Sequence, residues 1–325
     1  MRCFIRSLLL VARVTPALLM MLPGLGEAAS FVLPTGSDTV IGQTEKVVVG
    51  HDDTMLDIGR AHGVGYEEMV AANPGVDPWV PGVGREVMVP TRYVLPDAPR
   101  EGIVVSLAEH RLYYYPQPKA GEPAMVLTYP ISVGRMDWNT PLGLTRVIDK
   151  RTRPIWYPPE SVRKEHAADG RPLPKAVPPG PDNPLGEYAM RLAIPGGAYL
   201  IHGTNKPEGV GMQVTHGCIR MYPEDIEKFF KMVAVNTPVR IIHQPYKMGW
   251  LGNELYIEVH VPLEGAQGAA ERSLTDITRL LVAATQDRAV PIDWARAEDA
   301  FTRASGIPVP VMLATATSQI AGSTP

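Results

Sequence analysis

Cysteine is almost absent from this chain, with two in 325 residues, Cys3 and Cys218. Beyond the amino terminus there is no apolar run approaching the ~20 residues needed to cross a bilayer. There is no basic excess either, the formal net charge being −3. The first absence excludes a disulfide framework, the second a membrane span in the body of the chain, and the third a general nucleic-acid surface. The amino terminus is the exception to the second. Arg2 and Arg6 precede an apolar stretch over residues 8–22, broken only by Arg13, Thr15 and Pro16, and small residues follow at Gly26, Ala28 and Ala29. That layout predicts a signal peptide over residues 1–28, cut near Ala28, and an exported, soluble product. Cys3 would leave with it and the net charge would move to −5. No cysteine stands at the cleavage point, so no lipid anchor is expected there.

Cys218 is then the only thiol of the mature chain, in an oxidising compartment where it has no internal partner. Its surroundings are HGTNKPEGVGMQVTHGCIRM, residues 202–221, with His202 and His216 close by. A cysteine nucleophile has to become a thiolate, and a free thiol of pKa ~8.5 needs a base or a positive setting to do so. On an extended strand His216 shares a face with Cys218, and GGAYLIH and GMQVTHGC, paired antiparallel, would bring His202 to the same end. Gly217 permits the close approach of an oxyanion hole made of backbone N–H groups. Arg220 offers a planar fork for a substrate carboxylate. Two other readings remain open on these residues, a buried structural thiol and a Cys–His₂ zinc site, although the Gly and Arg placement suits zinc less well.

Proline, by contrast, is abundant, and it divides the chain. Residues 29–45 read as a linker. Residues 46–91 give a strand, two short helices opened at Asp52–Thr54 and Gly65–Tyr66, an Asn-Pro-Gly stop and a closing strand at Glu86–Val89. From residue 100 to 244 strand patterns dominate. GIVVSLAEHRLYYYP predicts a hairpin turning at AEH, in which Tyr113, Tyr114 and Tyr115 are strand packing. The Pro-rich stretch 151–183 excludes long helices and central strands and predicts a long structured loop of the kind that covers active sites. In PEDIEKFFKMVAVN, Pro223 suits a first helical position, and Ile226, Phe229, Phe230 and Val233 fall on one face. Residues 245–325 predict a strand at YIEVHVPL, two helices, the second ending at Gly306, and a frayed end. His51, His62, His110, His166, His243 and His260 read as surface or satisfied core residues.

IHGTN followed by THGCIRM resembles the active-site signature of the L,D-transpeptidases, the YkuD-type family. GIVVSLAEHRLYYYP and VGRMDWNTPLG are similar to further family segments. Residues 46–91, with DDTMLDIGRAHGV, MVAANPGVDPW and GREVMVP in order, resemble a LysM peptidoglycan-binding module. The whole arrangement resembles the ErfK-type periplasmic branch of Gram-negative bacteria. The resemblance implies a mainly β catalytic domain, a β-sandwich, with a small βααβ LysM-like domain and an α/β C-terminal extension.

It further implies that Cys218 is the nucleophile, that His202 moves the proton and that His216 stands beside the thiol. Gly217 and Arg220 would serve the oxyanion and substrate, as would Gly203 and Thr215 within the same signature. No cofactor or metal is implied. The partners implied are peptidoglycan tetrapeptide stems and an acceptor amine, either another stem or the C-terminal lysine of an outer-membrane lipoprotein, with water giving a carboxypeptidase. Carbapenems are implied as suicide substrates. A wall-binding protein with an idle catalytic fold is the non-enzyme alternative. Papain-like and NlpC-type peptidases fit less well, because there the cysteine precedes its histidine.

Overall fold

Both strands of the first hairpin of the central domain, Gly102–Ser106 and Arg111–Tyr115, are buried along nearly their whole length. Their near-continuous apolar runs suit strands covered on both faces. They pair antiparallel with Ile103 opposite Tyr114 and Val105 opposite Leu112, and His110 closes the turn in the left-handed region at φ 53°. The computed structural model describes residues 29–135, 140–196, 198–263 and 272–313; the expected signal peptide, 1–28, and the chain end from 314 lie outside them.

This hairpin sits inside a nine-stranded order that runs Ala29–Val32, Met125–Pro130, Arg111–Tyr115, Gly102–Ser106, Pro238–Ile242, Gly143–Thr152, Tyr188–Leu192, Leu200–His202, Ile219–Arg220. The ten-residue strand Gly143–Thr152 joins the two halves. Its first residues pair with Pro238–Ile242 and its last with Tyr188–Leu192, and the register shifts between Val147 and Asp149. An irregularity of that kind bends a strand. Both halves and the helix Pro223–Met232 contribute to one core, which contains Ile103, Leu112, Met190, Ile201, Ile226 and Phe229. The domain is mainly β, as expected, built as one continuous hydrogen-bonded order over that core. Pro223 occupies the first turn of its helix as expected, with Ile226 and Phe229 buried.

Two expectations need correction. Residues 29–45 are not a free tether. Ala29–Val32 is the edge strand of the large sheet, paired antiparallel with Met125–Pro130, and Val40–Gly42 pairs with Arg92–Val94. Val40 is also buried against Val94 and Tyr256. Of the residues that suggested a linker, Pro34 and Gly36 lie between these short strands, while Gly42 ends the second of them, at φ 69°. The second correction concerns the two segments bearing the catalytic candidates. Leu200–His202 pairs with Ile219–Arg220, and in parallel, while Gln213–Thr215 pairs with Val133–Gly134. The extra excursion over residues 203–212 reverses the direction that a simple hairpin would have given.

Residues 45–89 form a βααβ unit. Glu45–Val48 and Glu86–Val89 pair antiparallel, and Met55–Ala61 and Tyr66–Ala72 lie between them. Thr54 caps the first helix, its hydroxyl accepting from the Asp57 N–H, so the Asp-Asp-Thr start signal works through Thr54. The unit is fastened to the central domain. The Arg111 guanidinium, fully buried, meets Glu68 through two bonds of 2.8 Å and donates to the Gly63 carbonyl. Arg60 grips Glu224 at 2.7 and 2.8 Å. The Tyr66 and Glu67 N–H groups bond Val210 and Gly211.

The carboxyl-terminal residues form a three-stranded sheet, Tyr246–Leu251, Glu254–Val259 and Val309–Pro310. The helices Leu274–Thr285 and Trp294–Arg303 share its core. The second helix stops at Arg303, earlier than expected, because Ala304 adopts the left-handed conformation at φ 44°. Among the described residues no helix is long and apolar enough to cross a membrane.

Candidate active site

Cys218 stands at the mouth of the short strand Ile219–Arg220, half-buried, with its Sγ 3.6 Å from the Ala198 carbonyl oxygen. Parallel pairing sets Ile201 opposite Ile219 and His202 opposite Arg220. Side chains alternate along a strand. Ile201 and Ile219 therefore enter the core, while Cys218, Arg220 and His202 share the other face. The parallel pairing thus places Cys218 and His202 on neighbouring chain segments and one face, by a route different from the antiparallel one expected.

The chain before Cys218 is not extended. Gly217 has φ 91°, in the region glycine enters without a Cβ penalty. Two threonines hold the turn. The Thr215 hydroxyl donates to the Cys218 carbonyl at 2.6 Å, and the Thr140 hydroxyl to the Gly217 carbonyl at 3.1 Å. In a trans peptide C=O and N–H point in opposite directions. Anchoring the Gly217 carbonyl on Thr140 therefore aims the Cys218 N–H away from Thr140.

His202 is buried, and its Nδ1 lies 2.6 Å from the Gly203 carbonyl oxygen. A carbonyl only accepts, so Nδ1 carries the hydrogen and the neutral ring keeps its lone pair on Nε2. Burial, and after it the Arg220 charge, lower the His202 pKa to about 3. Burial likewise pushes the Cys218 thiol up to about 11, against opposing contributions from the Leu200 N–H and Arg220. Burial thus favours the neutral form of both the thiol and the imidazole. Desolvation decides the state, and the nearby guanidinium does not overcome it.

Arg220 is anchored by its backbone, which exchanges bonds with Ser132 at 2.9 and 3.1 Å. Its Nε is buried and has no hydrogen-bond partner among the described residues. Gly203 and Thr215, expected to touch oxyanion or substrate, make their contacts within the protein. Gly203 sets the His202 tautomer, and a Cβ there would lie 3.0 Å from Ile226. Thr215 braces the cysteine turn. His216, expected on the same extended face as the thiol, instead directs Nε2 at Glu165 Oε2, 3.1 Å away. The left-handed Gly217 between them breaks the strand alternation on which that expectation rested.

Four participants were not singled out individually in the sequence: Arg135 and Thr140, which lie within VGRMDWNTPLG, Ala198, which lies within GGAYLIH, and Glu165. Glu165 belongs to the helix Glu160–Ala168, which interrupts the Pro-rich stretch. That stretch is a structured loop as expected, pinned by the buried Asn183, whose amide donates to the Pro154 carbonyl at 2.8 Å. Its carboxylate neighbour to the site could not be singled out among the many acids of the chain.

As to metals, the three donors Cys218, His202 and His216 are not gathered at one point. Among the described residues the group of three that is gathered, within 4.8 Å, is Glu109, Glu258 and His260. There the Lys247 ammonium already stands between the carboxylates, at 2.7 Å from Glu109 and 2.8 Å from Glu258. His260 is thereby a satisfied, part-buried residue, 2.6 Å from Glu258, whereas the buried His110 has no partner for Nε2 among the described residues.

Residues 100–241 match the L,D-transpeptidase catalytic domain, YkuD. The chain is similar to a probable L,D-transpeptidase, YcfS, of Escherichia coli (strain K12), 44% identical over 241 residues, 73% of this chain and 74% of the relative. It is 36% identical over 287 residues to the probable L,D-transpeptidase YbiS of the same strain, 87% of this chain and 92% of that one. To the probable L,D-transpeptidase ErfK/SrfK of Salmonella typhimurium (strain LT2) it is 37% identical over 292 residues, 87% and 91% of the two chains.

Proposed function

This chain belongs to the L,D-transpeptidase family, and from that premise we propose that it is a cysteine acyltransferase acting on peptidoglycan tetrapeptide stems. The observation that carries the reading is a buried, tautomer-fixed imidazole, His202 Nδ1 donating to the Gly203 carbonyl at 2.6 Å, on the strand paired in parallel with the one that begins directly after Cys218. Attack starts from a neutral thiol, so His202 Nε2 takes the Sγ proton as sulfur bonds the carbonyl carbon between the third stem residue and the terminal D-Ala. The oxyanion is met by backbone N–H groups of the Gly217–Cys218 turn. As the intermediate collapses, the C–N bond breaks, His202 returns the proton to the departing D-Ala amine, and a thioester remains on Cys218. An acceptor amine then attacks the thioester, gives a proton to His202, and expels the thiolate, which is reprotonated. Arg220, two positions beyond the thiol, holds a substrate carboxylate through its planar guanidinium.

Cys218→Ser is expected to abolish the covalent adduct formed with a carbapenem, read by intact-protein mass spectrometry. His202→Ala is expected to lower turnover about 10²–10⁴-fold. An adduct persisting on the serine variant would sink the nucleophile assignment, and full activity of His202→Ala would move the base role elsewhere.

Transfer to the C-terminal lysine of an outer-membrane lipoprotein is the acceptor reaction favoured here. Similarity to ErfK/SrfK, YbiS and YcfS over most of the chain supports the ErfK-type arrangement. The βααβ unit, with Trp79, Val80 and Val83 exposed, serves as a LysM-like wall anchor, and the amino-terminal pattern assigns the enzyme to the periplasm. In sacculi from a strain lacking the protein, stems carrying a lipoprotein remnant should fall while 3→3 dimers are little changed. Loss of the dimers with those stems intact would make it a cross-linking enzyme.

A further inference from the structure

The guanidinium of Arg220 lies against the short 3₁₀ turn Pro207–Gly209. Gly209 faces it so closely that a Cβ there would stand 3.2 Å from Arg220 Nη1. The backbone of Gly209 is outside the left-handed region, so its conformation does not call for glycine. The room that the guanidinium takes does. One residue fastens both partners. Ser132, with no exposure, donates its hydroxyl to the Gly209 carbonyl at 2.7 Å and exchanges backbone bonds with Arg220 at 2.9 and 3.1 Å. The turn and the strand that carries Arg220 are thereby held at a fixed distance from each other.

The next two residues are held by the βααβ unit. The Tyr66 N–H donates to the Val210 carbonyl and the Glu67 N–H to the Gly211 carbonyl, each at 3.2 Å. Gly211 adopts φ 89°, and a Cβ on Gly65 would lie 2.8 Å from its Cα, so two glycines let these segments touch. A planar guanidinium binds a carboxylate through two parallel N–H bonds in the plane of its fork. A wall packed against Nη1 therefore governs how the fork is presented. We propose that residues 207–211 are a seat that orients the Arg220 guanidinium for a substrate carboxylate, with Ser132 and Gly209 as positioning residues, and that the βααβ unit completes this substrate site by bracing Val210 and Gly211. This rests on the acyl-transfer reading above, in which Arg220 holds a carboxylate, and adds to it the parts that aim the guanidinium.

The test uses the mature protein and compares turnover of a tetrapeptide stem with that of the same stem amidated at one carboxyl group at a time. The wild type should disfavour one of these amides about 10–100-fold in kcat/KM, the size expected of a hydrogen bond to a charged group, and Arg220→Ala should erase that preference. Gly209→Ala, whose methyl presses on Nη1, should lose most of it. Ser132→Ala and Gly65→Ala, one from each side of the seat, should each weaken it in part, through KM with kcat little changed, as loss of uniform binding requires. A variant that is merely less folded would lower kcat on every stem alike and keep the preference, so the ratio between stems reports the seat whatever the stability. An unchanged preference in Gly209→Ala would refute the seat, and one in Ser132→Ala or Gly65→Ala would remove Ser132 or the βααβ unit from it. A wild type indifferent to every amide, or a preference that survives Arg220→Ala, would overturn the reading of Arg220 itself and the seat with it.

Discussion

At the scale of single residues, desolvation sets the chemistry. Cys218 and His202 are each driven toward their neutral forms, to about 11 and about 3. A thiol whose pKa lies above the solution value is protonated over the whole neutral range, so alkylation of Cys218 by iodoacetamide should rise with pH well past 9 without a plateau near neutrality. A plateau with an apparent pKa near 7 would mean a preformed thiolate–imidazolium pair, and would show that burial does not hold the two groups neutral. If Cys218 and His202 have the proposed roles, the protein is expected to be sluggish toward small alkylating agents yet reactive toward an acyl donor.

At the scale of elements, the helix Pro223–Met232 supports the catalytic turn from beneath and carries an uncomfortable group. Asp225 is buried, and burial, followed by Glu224, raises its pKa to about 7. A raised carboxyl binds a proton in the folded state that the unfolded chain has released. Stability from this group therefore falls as pH climbs from about 4 to about 7, and the full cost applies above that window. Asp225→Asn should stabilise the protein at pH 8 by up to about 4 kcal/mol and make little difference at pH 4. Guanidinium unfolding at the two pH values checks this, and equal effects at both would show that Asp225 does not titrate in the window. The Gly143–Thr152 strand works at the same scale, its register shift letting one sheet enclose a core and leaving the Cys218 strand at one end of the order.

At the scale of the molecule, the βααβ unit is built in. Glu68 is the carboxylate partner of Arg111, which has no exposure at all. Glu68→Gln would leave a buried guanidinium without its counter-charge, and losses of about 3–5 kcal/mol are typical for such a change. We expect a lower melting temperature for Glu68→Gln accompanied by loss of signal from the catalytic domain as well as the small one; a melting temperature unchanged from the wild type would show the contact to be dispensable. The carboxyl-terminal sheet is joined to the central domain by a similar device, Lys247 bridging Glu109 and Glu258. Simple truncation at residue 91 would remove both the Ala29–Val32 strand and the partner of Arg111, so wall binding is better tested by surface substitutions.

Local pattern determined a good deal of this. The hairpin at residues 102–115, the first turn at Pro223 and the βααβ order all follow from apolar periodicity, turn residues and caps, which act over a few neighbouring positions. Cys218, close to two histidines, marked the candidate site because residue type alone carries its chemistry. Other features required the assembled chain. The parallel pairing of Leu200–His202 with Ile219–Arg220 depends on how residues 203–212 return, and strand direction has no local signature. Residues 29–42 looked like a tether because short edge strands rich in turn residues match linkers in composition, and only pairing partners far along the chain distinguish them. The opposed pKa shifts of Cys218 and His202 come from burial, which is a property of the packed molecule. Glu165 reaches His216 across 51 positions; an acid on a short helix is ordinary in sequence, and only the docking of that helix brings it to the catalytic turn.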